Sequence, residues 1–395
     1  MDPDEIPFAL KVDPAVFDRV RTTLEAEGPG AAVDSLCHEL EQAEDFQNLF
    51  YAMLMKKRVE LKLPPFPMGP SADLPPEAHE PYEEAIRQAG RHVGTQLLQR
   101  GDIPKAWSFF RMLGEPEPVR QALRDYNPGP DADPYPVIEI AWQHGVLPEK
   151  GFDLILDRSG VCSSITMVQS SDMSSNPALR EYCVKRLVRA LHDQLKERLL
   201  NDLQSHNVTP PADVTVTQIL VGHPELFPED AYHIDTSHLS SIVQMAMQLP
   251  NCPEMVLARD LCVYGTKLSA GLRGDNDPPF ENTYFDYVKF LDVIGGTDVD
   301  GGLKHFQAKV DATTADGYQF PAEVLVNLYL KANRLHDALA VAKQHLADAN
   351  ESALSCPSVT ELARRAGDFT TLTELAKSKA DPVTFLAGLI AATGQ

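Results

Sequence analysis

The chain predicts an all-α protein of irregular stacked α-hairpins, an α-solenoid. Three observations carry this. Apolar residues recur at helical spacing over most of the 395 residues, one tight helix–turn–helix pattern returns several times, and alternating strand patterns are nearly absent. DVTVTQILVG at 213–222 is the only β-like run, and its place before another helical pattern suits a short helix equally well.

Taken in order, residues 1–62 read as an amino-terminal helical pair. Within it AEDFQNLFYAMLMKK sets Glu44, Phe46 and Leu49 in the hairpin spacing, but without a turn residue at the junction. Residues 63–82, LPPFPMGPSADLPPEAHEPY, cannot be helical throughout, because proline lacks the N–H donor and clashes with the preceding turn; they read as a linker or strap. A middle helical block follows over 83–280. It opens with RGDIPKAWSFF, where Gly101 is followed two residues on by Ile103 and three further on by Ala106. NPGPDADPYP at 127–136 and AGLRGDNDPPFENTY at 270–284 are further breaks. Between them NPALREYCVKRLVRALHDQLKERLLNDLQ carries Leu179, Cys183, Leu187, Leu191, Leu195 and Leu199 at helical spacing, which predicts one long amphipathic helix. Residues 281–395 form a carboxy-terminal repeat block. In it ANRLHDALAVA repeats the hairpin with Asn333, Leu335 and Ala338, and AGDFTTLTELA with Gly367, Phe369 and Leu372. The Gly or Asn takes a left-handed conformation at the end of one helix, and the small residue lets the next backbone approach.

In EVLVNLYLKANRLHDALAVAKQHL at 323–346, Leu325, Leu328 and Tyr329 share a face of the first helix, while Ala338, Leu339, Ala342 and Leu346 share a face of the second. His345 falls on the open side. This segment resembles the tetratricopeptide-type helical hairpin family, and hairpins of this kind cover about a third of the chain. The family's spacing of about 34 residues is not kept, and no proline closes the repeat after Leu346. The resemblance implies stacked hairpins with a concave face and a bias towards binding proteins or peptides.

Charge and composition narrow the function classes. With 35 Lys+Arg against 57 Asp+Glu the net charge is −22, which repels nucleic-acid phosphates and anionic membrane surfaces. The expected partner is therefore a protein or peptide, not nucleic acid and not a membrane. The acidic start MDPDEIPFALKVDPAVF lacks the basic and apolar regions of an export signal, and FLAGLIAA at 385–392 is far shorter than the ~20 residues of a membrane span. The six cysteines fall at wide, irregular intervals with no C-x-x-C, which fits reduced thiols in the cytoplasm.

The common catalytic signatures are missing: there is no G-x-G-x-x-G, G-x-x-x-x-G-K-[ST], G-x-S-x-G or H-E-x-x-H. GPGAAV at 28–33 reads as a turn opening a helix. TDVDGG at 297–302 has the start of a calcium loop without its closing Glu. Cys162 follows Gly160 at a helix start, where a thiol can become a nucleophile, and is otherwise a small buried residue. Glu139 and His144 are five apart, which turns them off a common face of an α-helix.

One stretch, AYHIDTSHLSS at 231–241, concentrates ligand-capable side chains in His233, Asp235 and His238. They admit two readings. In one, Asp235 or Thr236 caps the helix that begins there, and the histidines are incidental. In the other, His233 and His238, with Asp235 nearby, hold a divalent metal (Zn, Mn or Fe). A further ligand would come from Glu225, Glu229, Asp230, His223 or His192. The function that follows is either a cytoplasmic helical-repeat protein binding a protein or peptide on a concave surface, or a metal-dependent enzyme of hydrolase or lyase type. In the enzyme a carboxylate would activate metal-bound water.

Overall fold

The computed structural model describes residues 13–66, 74–313 and 318–393; the acidic residues at 1–12 and residues 67–73 of the proline-rich stretch lie outside the described part. Among the described residues the secondary structure is helical, with no strand. The chain divides into two compact units, Met1–Arg158 and Ser159–Gln395.

The first unit opens with three helices where the pattern predicts a pair: α1 (Val16–Glu27), α2 (Pro29–Gln42) and α3 (Phe46–Glu60). They are followed by α4 (Pro76–Gln99), α5 (Ile103–Leu113) and α6 (Glu117–Asp125), and each of the first five packs on the next. The strap is shorter than predicted, since α4 begins inside it. Pro76 occupies the first helical position, where its missing donor costs nothing. Pro81 lies inside the helix and removes one i→i−4 bond. That loss is offset by burial of the next residue, Tyr82, in a cluster with Leu54 and Ala89. A short α7 (Tyr135–Ile138) runs into a π turn at Glu139–Gln143, and α8 (Pro148–Ser170) is interrupted at Gly160, whose φ of 75° breaks the helix.

In the second unit α9 (Pro177–Ser205) is the predicted long helix. Leu187, Leu191, Leu195, Leu199 and Leu203 are all fully buried along it. Each contributes roughly 1.5–3 kcal/mol of transfer free energy before entropy is counted. Against α9 lie α10 (Val216–Gly222), α11 (Thr236–Ala246) and α12 (Glu254–Gly265). The run at 213–222 is thus helix, held at its start by a capping box between Thr215 and Gln218. A short α13 (Ala270–Arg273) leads to a succession of packed helices: α14 (Thr283–Ile294), α15 (Val299–Ala312), α16 (Phe320–Lys331), α17 (Leu335–His345), α18 (Val359–Ala366), α19 (Phe369–Ser378) and α20 (Pro382–Ala392). In TDVDGG, Asp298 caps α15 by accepting from the Gly301 N–H at 3.0 Å.

One turn explains the recurring hairpins. At Glu44, Gly101, Asn333 and Gly367 the backbone is left-handed, with φ of 54°, 76°, 58° and 68°. At each, the following amide reaches back five residues to close the preceding helix: Asp45 to Leu40, Asp102 to Leu97, Arg334 to Tyr329 and Asp368 to Ala363. Three of these followers are aspartates whose side chains cap the next helix. Glu44 therefore is the turn residue missing from the amino-terminal copy; its backbone accepts the strain that Gly or Asn would avoid. A fifth copy at Ala380 and Asp381 joins α19 to α20. Ala338 is fully buried, as the hairpin register requires. His345 is not on the open side: its Nε2 is buried and has no hydrogen-bond partner among the described residues.

Candidate functional site

Asp235 occupies the cap position of α11. Its Oδ1 accepts from the amides of Ser237 at 2.8 Å and His238 at 3.1 Å. The Ser237 hydroxyl, then the His238 amide, hold its carboxyl below the usual range. His233 is buried in the loop before α11. Its amide donates to the Tyr264 hydroxyl at 2.6 Å, its carbonyl accepts from Arg198 at 3.0 Å, and its Nε2 pairs with Asp202 Oδ2 at 3.0 Å. The rings of Phe227 and Tyr264 stand edge-on to the imidazole, and its Nδ1 is buried with no hydrogen-bond partner among the described residues. His238, half-buried, supplies its backbone N–H to the cap.

Four of the five further ligand candidates have partners of their own: His223 pairs with Glu225 at 2.8 Å, His192 with Asp260 at 3.3 Å, and Asp230 accepts from Ser269 at 3.2 Å. Among the described residues no three His, Cys, Asp or Glu side chains form a group able to hold a metal ion. The stretch at 231–241 thus fastens α11 to α9 and α12. Asp235→Ala is expected to cost about 0.5–2 kcal/mol and His238→Ala less than about 0.5 kcal/mol. Both are read from urea unfolding. Because the Asp235 pKa is depressed in the folded state, its contribution is present above the unfolded carboxylate pKa and is lost as pH falls through the folded one. A larger loss for His238→Ala than for Asp235→Ala would refute the cap.

Elsewhere, the π turn reverses one expectation. The His144 amide donates to the Glu139 carbonyl, five residues back, at 3.0 Å, so residues five apart stack on one face. Glu139 Oε1 and His144 Nε2 then lie 3.9 Å apart. Cys162 follows the Gly160 break as predicted and is exposed, not buried.

The second unit contains a cleft of about 510 Å³. Its walls are the end of α8, the loop at 171–176, the first turn of α9 and one face of α11. The loop forms because Ser171 follows the last residue of α8 and Asn176 starts α9 by accepting from the Leu179 amide at 3.1 Å. Val168, Met173 and Met245 are buried and make an apolar lining. Ser241, Gln244 and Gln248 come from positions i, i+3 and i+7 of α11 and the turn after it, which places them on one face. Gln169, Ser171 and Ser174 line the opposite wall. Two charges belong to the lining. Asp172, exposed, is kept below the usual carboxylate range by the Ser174 side chain and amide. Arg180 Nη1 donates to Gln248 Oε1 across the cleft.

Comparison with protein families, with curated proteins and with solved structures gives no match for this chain.

None of the cleft residues belongs to a recognisable sequence motif. Two signals were present. QSSDMSSNP at 169–177 is a hydroxyl-rich segment between two helical patterns, and Ser241, Gln244 and Gln248 form a polar stripe beside the apolar Ile242, Val243, Met245 and Ala246.

Proposed function

We propose that the chain is a cytoplasmic helical-repeat scaffold, tetratricopeptide-like in its hairpins, that binds a protein or peptide partner, and that the cleft among α8, α9 and α11 belongs to its binding surface. The observation that carries this reading is the chemistry of that lining. Three carboxamides each offer a donor and an acceptor, the complement of a peptide amide, beside two methionines that adapt to varied side chains. The volume lies within the range of about 300–1,000 Å³ usual for ligand sites. The six cysteines, three of them buried, form no disulfide among the described residues, which fits a reducing compartment.

The test is affinity selection from a pool of N-acetylated tetrapeptide amides of uncharged residues, with retained members identified by mass spectrometry. The wild-type protein is expected to retain a defined subset. Ser241→Trp, which fills the cleft from a half-exposed position on α11, should weaken retention at least about tenfold without changing the thermal midpoint. Retention unchanged in Ser241→Trp would exclude the cleft as the peptide site.

A further inference from the structure

We propose that the peptide bound in this cleft carries a carboxylate, which Arg180 receives. The inference rests on the peptide-binding reading above and adds the charge of the ligand. In a chain with 57 acidic against 35 basic side chains, most guanidinium groups have a carboxylate within reach. Arg19, Arg91, Arg189, Arg259 and Arg334, for example, are each paired with one. Arg58, Arg158, Arg198 and Arg273 instead donate to backbone carbonyls, and Arg180 is the arginine without a carboxylate that lines the cleft. Among the described residues it forms no ion pair, and its hydrogen-bond partner is the neutral carboxamide of Gln248. Its positive charge is therefore fixed in place on the cleft wall but not neutralised.

Three further features point the same way. The group is only partly exposed, so its field is less screened than that of a free surface arginine. Arg180 stands in the first turn of the 29-residue α9, near the positive end of that helix. Held through Nη1 alone, the planar guanidinium retains Nη2 and Nε donors in the fork that matches a carboxylate. Asp172, the other charge of the lining, lies beyond ion-pair distance of Arg180 and has its own hydrogen bonds from Ser174. It faces the ligand as a separate acceptor and disfavours a second anion nearby.

A main-chain carboxyl terminus and an Asp or Glu side chain present the same chemistry to Arg180. Three tetrapeptide pools separate them: uncharged N-acetylated amides, the same sequences with a free carboxyl terminus, and N-acetylated amides containing one Asp or Glu. Each is titrated against wild type and Arg180→Gln. At least one carboxylate pool is expected to bind wild type about tenfold more tightly than the uncharged pool. That advantage, read as the ratio of carboxylate-pool to uncharged-pool affinity within each protein, should disappear in Arg180→Gln and shrink with added salt. Which pool shows the advantage names the source of the carboxylate. Equal binding of all three pools would overturn this inference and leave the peptide reading standing. A carboxylate advantage that persists in Arg180→Gln would overturn the assignment to Arg180. No binding of any pool would overturn both.

Discussion

Asp286→Ala is expected to lower the unfolding free energy of the second unit by about 3–5 kcal/mol, the usual cost of breaking a buried charge network from one side. Asp286, on α14, is fully buried. Its Oδ1 receives His305 Nε2 at 2.7 Å, and its Oδ2 receives Lys309 Nζ at 3.1 Å and the Asn282 amide at 2.8 Å. Two groups of α15 and the start of α14 thus share one carboxylate. Lys309 feels burial, which lowers its pKa, but the hydrogen bonds to Glu281 and Asp286 outweigh it and raise the value. Alanine would leave the Asn282 amide without its acceptor and Lys309 with Glu281 alone. The loss should be followed by far-ultraviolet circular dichroism in urea, because both tryptophans, Trp107 and Trp142, lie in the first unit and would not report on α14. A loss below about 1 kcal/mol would mean that the network adds little to holding α14 and α15 together.

Ala338→Glu should be comparably severe. Ala338 has no exposed surface at the crossing of α16 and α17, so a glutamate there must both force the helices apart and bury an unpaired carboxylate. A loss of about 3 kcal/mol or more is expected. Gln344→Glu adds the same charge on the exposed side of α17 and should stay within about 0.5 kcal/mol of wild type. Similar losses for both variants would place the hairpin in a different register.

The same contrast marks how far the sequence was legible. Periodicity alone located α9 and the register of α16 and α17, because leucines and alanines at helical spacing leave one face to bury. It was misled where local chemistry departs from the average helix. Glu44 adopts a left-handed backbone that its residue type disfavours, so its hairpin lacked the expected glycine. Pro81 sits inside a helix because neighbouring burial offsets the lost bond. Glu139 and His144 share a face only because the turn between them is a π turn, which nothing in EIAWQ announces.

The candidate site was less legible than the fold, for a physical reason. Asp235, the most suggestive acid in the chain, uses its Oδ1 to cap the first turn of α11. The cleft, by contrast, is assembled from residues that sequence separates widely, Gln169, Arg180 and Gln248, and none of them is unusual alone. What distinguishes Arg180 is a partner rather than a motif. Its guanidinium meets a neutral carboxamide in an acidic protein, a property that exists only once α9 and α11 are packed side by side.

Hydrogen exchange along the whole chain, with and without a saturating peptide taken from the selected pool, shows directly where the peptide binds. Added protection is expected at 168–180 and 241–248, the segments that build the cleft, with the hairpins from α16 to α20 unchanged. Protection confined to those hairpins, or none at 168–180 and 241–248 at saturating peptide, would contradict this placement.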